Sequence, residues 1–141
     1  MRNLLLVILI LPLISAGEAG QKDQEDVWGP LRYFVGKWEG TGGGKFGPST
    51  LEREYTFILQ DKFLHVKNRS VSPPTKKLPK GEVHEDWGFY SYDGGRKRFV
   101  LRQFHVEGFV NQFIAEPAPE PNKPPVFTTE SIENLPPGWR A

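Results

Sequence analysis

Alternation of apolar and polar residues is the feature that most constrains how this chain can fold. In residues 50–60 four of the five large apolar side chains occupy alternate positions, at Leu51, Tyr55, Phe57 and Leu59. A period of two places successive side chains on opposite faces of a β-strand, whereas an amphipathic helix needs a period of about 3.6. Related spacing recurs along the chain, and glycine- or proline-containing turns separate the segments. The sequence therefore predicts an all-β protein of consecutive antiparallel strands.

Seven segments are predicted to be strands, and one short helical turn is predicted ahead of them. The turn follows from the spacing of Leu31, Phe34 and Val35. Asp93-Gly94-Gly95 and Glu107-Gly108 predict tight hairpin connections, and residues 45–49 are predicted to be a loop. The predicted strands are residues 35–44, 50–60, 63–72, 82–92, 97–105, 109–115 and 126–132.

The first 19 residues have the organisation of a secretory signal peptide. A short basic start precedes an aliphatic run over residues 4–14, and small residues follow. Cleavage is predicted after Ala19, with Gly17 and an uncleaved membrane anchor as the alternatives. Residues 20–30 are then a flexible mature N-terminus, and residues 31–141 are one β-barrel domain. This organisation predicts a secreted or periplasmic protein with no stable membrane span after cleavage.

Composition excludes several function classes. The chain has no cysteine, which excludes thiol chemistry, zinc–thiolate sites and a lipid-anchored lipoprotein. A formal net charge of +1 gives no reason to expect nucleic acid as a partner. No His-Glu-x-x-His, Gly-x-Ser-x-Gly or phosphate-loop motif occurs. No metal ligand or catalytic residue is assigned on these grounds, and a protein other than an enzyme is favoured.

Polar residues on predicted strands are the candidates for a ligand site. A polar side chain inside an apolar barrel costs several kcal/mol unless a structural partner or a ligand satisfies it. His84 and Asp86 share one face of their strand, so this pair could hold a ligand or a metal, move a proton, or be a solvated strand end. The predicted ligand-binding residues are Trp38, Arg53, Asn68, His84, Arg102, His105 and Asn111.

Three motifs resemble the calycin superfamily of lipocalin-like β-barrels. Gly36-Lys37-Trp38 resembles its Gly-x-Trp start. Residues 38–42 with residues 46–48, and the strand His-Glu-Asp-Trp-Gly-Phe at residues 84–89, are similar to the nitrobindin-like haem-binding barrels. The opening also resembles that of uncharacterised bacterial lipocalin-like domains. The resemblance covers residues 31–132 and implies an up-and-down antiparallel barrel around a ligand cavity.

Two residues that members of the family have are missing from this chain. In the nitrobindin branch a histidine near the C-terminus holds the haem iron, and no residue here matches it. The arginine that packs on the first-strand tryptophan in calycins has no counterpart either. The ending Pro-Pro-Gly-Trp at residues 136–139 looks like the entrance to another strand. A C-terminal truncation that removes the last strand or strands is therefore expected, with Trp38 less covered than in an intact barrel.

The predicted function is binding of a small hydrophobic or amphipathic molecule inside the barrel. One alternative is a haem-binding protein with NO or peroxide chemistry. A second is an enzyme that uses His84 and Asp86 as an acid–base pair. A purely structural secreted barrel is the third.

Overall fold

The computed structural model describes residues 26–44, 47–116, 125–135 and 137–138. These residues form one four-residue helix and one antiparallel sheet of seven strands in sequential order. The prediction of an all-β fold with an up-and-down strand order is confirmed. The elements are α1 (Gly29–Arg32), β1 (Gly36–Gly44), β2 (Gly47–Ile58), β3 (Phe63–Ser72), β4 (Glu82–Asp93), β5 (Arg98–His105), β6 (Val110–Ala115) and β7 (Phe127–Glu133).

Short turns with the predicted chemistry join the later strands. The Asp93 carboxylate accepts hydrogen bonds from the backbone N–H groups of Gly95, at 2.9 Å, and Arg96, at 3.0 Å. This side chain thereby satisfies the backbone of the β4–β5 turn. Gly108 has a φ of +90° in the β5–β6 turn, a conformation that L-residues with a side chain rarely adopt.

The predicted loop at residues 47–49 is wrong. These residues begin β2, which pairs with the glycine-rich end of β1 as far as Gly44 opposite Gly47. Proline has no backbone N–H group to donate to a neighbouring strand. Pro48 is tolerated in β2 because the pairing of β2 with β3 begins only at Thr50, so no β3 residue lies opposite the missing N–H group. Gly47 and Pro48, which were predicted to lie in a loop, therefore extend the ladder between β1 and β2.

The sheet is not closed among the described residues. β1 pairs only with β2 and β7 only with β6, so these two strands are the edges of the sheet. Trp38 lies on the edge strand β1 with 39% of its surface exposed, and its indole N–H donates a 2.6 Å hydrogen bond to the backbone oxygen of Phe34. Closure into a barrel remains a prediction.

One face of the sheet, called here the inner face, contacts α1 and carries the core. Leu31 of α1 and the adjacent Trp28 are buried against it. The Trp28 ring lies 5.4 Å from the Phe57 ring and 5.3 Å from the Phe99 ring. The sheet residues of this core are Tyr55, Leu64, Val66, Phe99 and Ala115. Burial of these large rings at one end of the inner face is the main apolar contribution to stability.

The predicted signal peptide and its cleavage site lie outside the described residues, as do residues 20–25, 45–46, 117–124, 136 and 139–141. No helix within the described ranges has the length and apolar character needed to cross a bilayer.

Candidate functional site

A row of predicted site residues runs straight across five strands of the inner face. Residues paired directly across antiparallel strands point to the same side of the sheet. The registers pair Trp38 with Arg53, Arg53 with Asn68, Asn68 with Asp86, and Asp86 with His105. With neighbouring strands about 4.8 Å apart, the row spans about 19 Å. The fold therefore brings together residues that are up to 67 positions apart in sequence (105 − 38).

Further polar residues surround the β4 end of this row. His84 and Asp86 alternate on β4, so they share the inner face as predicted. Gln103 and Asn111 are direct partners across β5 and β6. We call this group the inner polar cluster: Asn68, His84, Asp86, Gln103, His105, Glu107 and Asn111. It lies at the opposite end of the inner face from α1, so the face has an apolar half and a polar half.

Asp86 is the buried centre of the inner polar cluster. Only 7% of its surface is exposed. Its Oδ1 accepts hydrogen bonds of 2.6 Å from the side-chain amides of both Asn68 and Gln103. Two amide donors on one oxygen compensate the loss of water around a buried carboxylate. The other oxygen, Oδ2, lies 3.6 Å from His84 Nε2, which is too long for a hydrogen bond.

The two histidines form a chain of contacts along the cluster. His84 Nδ1 lies 2.9 Å from Glu107 Oε1, and His84 Nε2 lies 3.5 Å from His105 Nδ1. His105 Nε2 in turn lies 3.3 Å from Asn111 Nδ2, and the His105 ring stacks on Phe109 with ring centres 4.0 Å apart. Each imidazole is therefore fixed in orientation by a neighbour on its far side.

Burial and charge set the ionisation of the cluster. Partial burial lowers the pKa of His105, the charge of Asp86 opposes this, and proximity to His84 adds to it. Partial burial acts to raise the pKa of Glu107, but hydrogen bonds from its own backbone N–H and from His84 outweigh burial and lower it. Near neutral pH the cluster therefore favours a neutral His105 beside an ionised Glu107.

Two amide oxygens of the cluster have no hydrogen-bond partner among the described residues. They are Oδ1 of Asn68 and Oδ1 of Asn111, and both atoms are buried. An unpaired buried acceptor costs about 1–3 kcal/mol. Such groups are rare in folded proteins and need an explanation, of which a bound group with hydrogen-bond donors is one.

Arg102 is the one predicted site residue that lies elsewhere. It pairs with Phe89 and Gln112 on the outer face of the sheet, and its guanidinium contacts Glu133 at 2.6 Å. The prediction that Arg102 shares an interior with His105 is wrong, because residues three apart on a strand point to opposite faces. The outer face around it carries an aromatic patch: His65, Trp87, Phe89 and Phe104.

Two members of the cluster escaped sequence analysis. Gln103 could have been found, because it alternates with His105 and so had to share its face. Glu107 lies in the β5–β6 turn, where alternation ends and side-chain direction depends on the turn geometry. Only the folded hairpin places its carboxylate against His84.

His84, Asp86 and His105 are also close enough to act together on one cation. Each offers one ligand atom, and these atoms lie within 4.8 Å of one another.

Comparison of the chain with protein-family models, with curated proteins and with solved structures found no match. Fold and site alone therefore define the class of protein: an antiparallel sheet protein with a polar cluster at one end of its inner face.

Proposed function

We propose that this protein binds a small amphipathic molecule on the inner face of its sheet. The observation that carries the proposal is the row of Trp38, Arg53, Asn68, Asp86 and His105 across five strands. An aromatic ring, a cation and hydrogen-bonding groups in one row can contact both the apolar body and the polar group of a single ligand.

The ligand is amphipathic rather than wholly apolar because α1 already covers the apolar half of the inner face. Its polar group would donate a hydrogen bond to the unpaired amide oxygen of Asn68, which lies in the same row as Trp38. Its apolar part would lie along the exposed ring of Trp38. A ligand carrying a hydroxyl or amine group satisfies both requirements.

The proposal includes closure of the sheet into a calycin-like barrel, whose cavity wall would be the inner face. The sequential antiparallel strand order supports it, since an up-and-down barrel requires that order. A secreted or periplasmic location is part of the same proposal. Fractionation of the natural host with sequencing of the N-terminus tests it: a start at Gly20 in the exported fraction agrees, and recovery of the chain only from the cytoplasm with Met1 intact contradicts it.

Haem is the alternative implied by the family resemblance, and the described residues do not fit it. A haem bound as the resemblance implies needs a broad apolar slot and a histidine with a ring nitrogen available to the iron. Trp28 and Leu31 fill the apolar half of the inner face. His84 and His105 face each other with Asp86 beside them, rather than an open slot.

An enzyme with His84 as its acid–base group is the other alternative, and one distance favours a modified form of it. The carboxylate within hydrogen-bond distance of His84 is Glu107, at 2.9 Å, and not Asp86. In such an enzyme Glu107 would orient the imidazole and Nε2 would transfer the proton. Loss of any detected activity in His84→Ala, with retention in His65→Ala, would support this version.

Binding of defined amphipathic probes tests the main proposal. The full chain is titrated calorimetrically with decanol, decylamine and decanoate, and the measurement is repeated for Trp38→Ala and for the matched variant Trp87→Ala on the outer face. We expect binding of decanol or decylamine to weaken by at least about tenfold, or about 1.4 kcal/mol, in Trp38→Ala only. Equal loss in both variants, or no binding of any probe, refutes the proposal.

A further inference from the structure

Three groups with metal-binding chemistry converge at the polar end of the inner face. We infer that His84 Nε2, His105 Nδ1 and Asp86 Oδ2 form a binding site for a divalent transition-metal ion, with Zn²⁺ as the reference ion. The ligand atoms of the three residues lie within 4.8 Å of one another. The inference goes beyond the proposed binding of an amphipathic molecule and does not depend on it.

The spacing of the ligand atoms matches a metal site better than a hydrogen-bond network. Two nitrogen ligands about 2.05 Å from a tetrahedral zinc ion lie about 3.3 Å apart. His84 Nε2 lies 3.5 Å from His105 Nδ1 and 3.6 Å from Asp86 Oδ2. Hydrogen bonds between such atoms are typically about 2.7–3.2 Å long. Two of the three separations are thus close to those that a shared ion requires, and the ligand atoms all lie within 4.8 Å of one another.

In His84 and Asp86 the polar atom that does not face the metal site is held by another residue, as in established metal sites. Metal-bound histidines usually donate their second N–H to a carboxylate or carbonyl oxygen, which fixes the tautomer and the ring. Glu107 occupies that position for His84 at 2.9 Å. For Asp86 the amides of Asn68 and Gln103 both bind Oδ1, which leaves Oδ2 available.

The side chain of Asn111 lies beside the second ring nitrogen of His105. If Nδ1 of His105 binds the metal, Nε2 carries the proton and needs an acceptor. The side-chain amide of Asn111 is 3.3 Å away with its nitrogen nearer, and its buried oxygen has no partner. A half-turn of the amide, which exchanges two atoms of nearly equal size, lets Oδ1 accept this hydrogen bond. Asn111 can therefore hold the tautomer of His105 that metal binding through Nδ1 requires.

The ligand set selects the class of metal. Two imidazoles and one carboxylate suit Zn²⁺ and its neighbours in the first transition row, whereas Mg²⁺ and Ca²⁺ prefer sites made of oxygen ligands. Three protein ligands leave at least one coordination position open. The side chain of His84 is 31% exposed, so this ligand of the site is itself in contact with solvent.

Metal titration of the full chain tests the inference. The protein is dialysed against a chelator and titrated with Zn²⁺, Co²⁺ and Mg²⁺, with Co²⁺ reporting coordination through its visible absorption. The variants are Asp86→Asn, whose amide oxygen can still accept from Asn68 and Gln103, and the half-exposed His84→Ala. His65→Ala on the outer face is the matched control. Circular dichroism verifies that each variant folds.

We expect one Zn²⁺ per chain, a Co²⁺ spectrum typical of four or five ligands, and no response to Mg²⁺. Affinity should fall by about 100-fold or more in Asp86→Asn and His84→Ala, because loss of a direct ligand should cost at least as much as the largest effects seen for residues around metal ligands. His65→Ala should bind as the unmodified chain does. Absence of Zn²⁺ binding, or equal affinity in the folded His84→Ala variant, overturns the inference.

Discussion

Glu107 Oε1 lies 2.9 Å from His84 Nδ1, so the carboxylate that orients this imidazole comes from the β5–β6 turn. Asp86 is only two residues from His84 on the same strand, yet its nearest contact to the ring is longer, at 3.6 Å. The strands thus supply His84 and Asp86, and the β5–β6 turn supplies Glu107, which holds the His84 ring in place.

Glu107→Ala is expected to weaken Zn²⁺ binding by about 10–100-fold, because residues that orient metal ligands have effects of this size. Glu107→Gln should recover part of the affinity, since its amide oxygen can still accept from His84 Nδ1–H. Calorimetric titration with Zn²⁺ measures both. The control is Glu85→Gln, which changes an acidic residue on the outer face of β4. An unchanged affinity in Glu107→Ala would mean that Glu107 does not position the ring.

Leu64→Ala should destabilise the protein by about 2–5 kcal/mol, because Leu64 is 0% exposed in the core under α1 and its truncation leaves a cavity. Urea unfolding followed by circular dichroism measures this loss. Leu59→Ala removes the same atoms from a side chain that is 71% exposed and should change stability by less than about 0.5 kcal/mol. Similar losses in the two variants would contradict the position of the core.

Gly88→Ala should cost about 1–3 kcal/mol through overpacking. An added Cβ would lie 2.6 Å from Val66 Cγ1 and 3.0 Å from Leu101 Cδ1. Val66→Ala in the same chain should recover part of the loss, so the two changes should be non-additive in a double-mutant cycle. Gly40 of β1 also lies on the inner face, and an added Cβ there meets nothing within 4 Å. Gly40→Ala should therefore be close to neutral.

Acidification below the ordinary histidine pKa is expected to destabilise the protein partly through His65. Burial lowers the pKa of His65, Lys67 lowers it further, and Glu54 partly opposes them. As the pH falls, His65 therefore binds a proton in the unfolded chain at a higher pH than in the folded chain. Its contribution to stability is fully present above a pH of about 6.5 and is lost as the pH drops through the pKa of the folded state.

The check compares urea unfolding at a pH of about 7.5 and about 5.5, which lie on either side of the ordinary histidine pKa. His65→Phe retains an aromatic ring beside Phe89, on which His65 stacks. The variant should lose less stability on acidification than the unmodified chain. Some loss should remain, because the pKa of His105 is lowered in the same way. Identical losses would exclude His65 as a contributor.

Local patterns predicted the strands well. All seven predicted segments form strands, and the shared face of His84 and Asp86 is confirmed. Residues 47–49 were missed because glycine and proline signal a turn without indicating how far a ladder continues before it. The prediction that Arg102 lies on the same face as His105 was wrong. The two residues are three positions apart on one strand, so a period of two already places them on opposite faces.

Side-chain periodicity is a property of neighbouring residues, so the chain alone determines which segments are strands and which residues of one strand share a face. Register is a property of two strands, and it aligned Trp38, Arg53, Asn68, Asp86 and His105 in a single row. The packing of α1 then decided which end of the inner face is apolar. The turn that carries Glu107 decided which carboxylate meets His84, because a side chain in a turn follows the local backbone rather than the strand period.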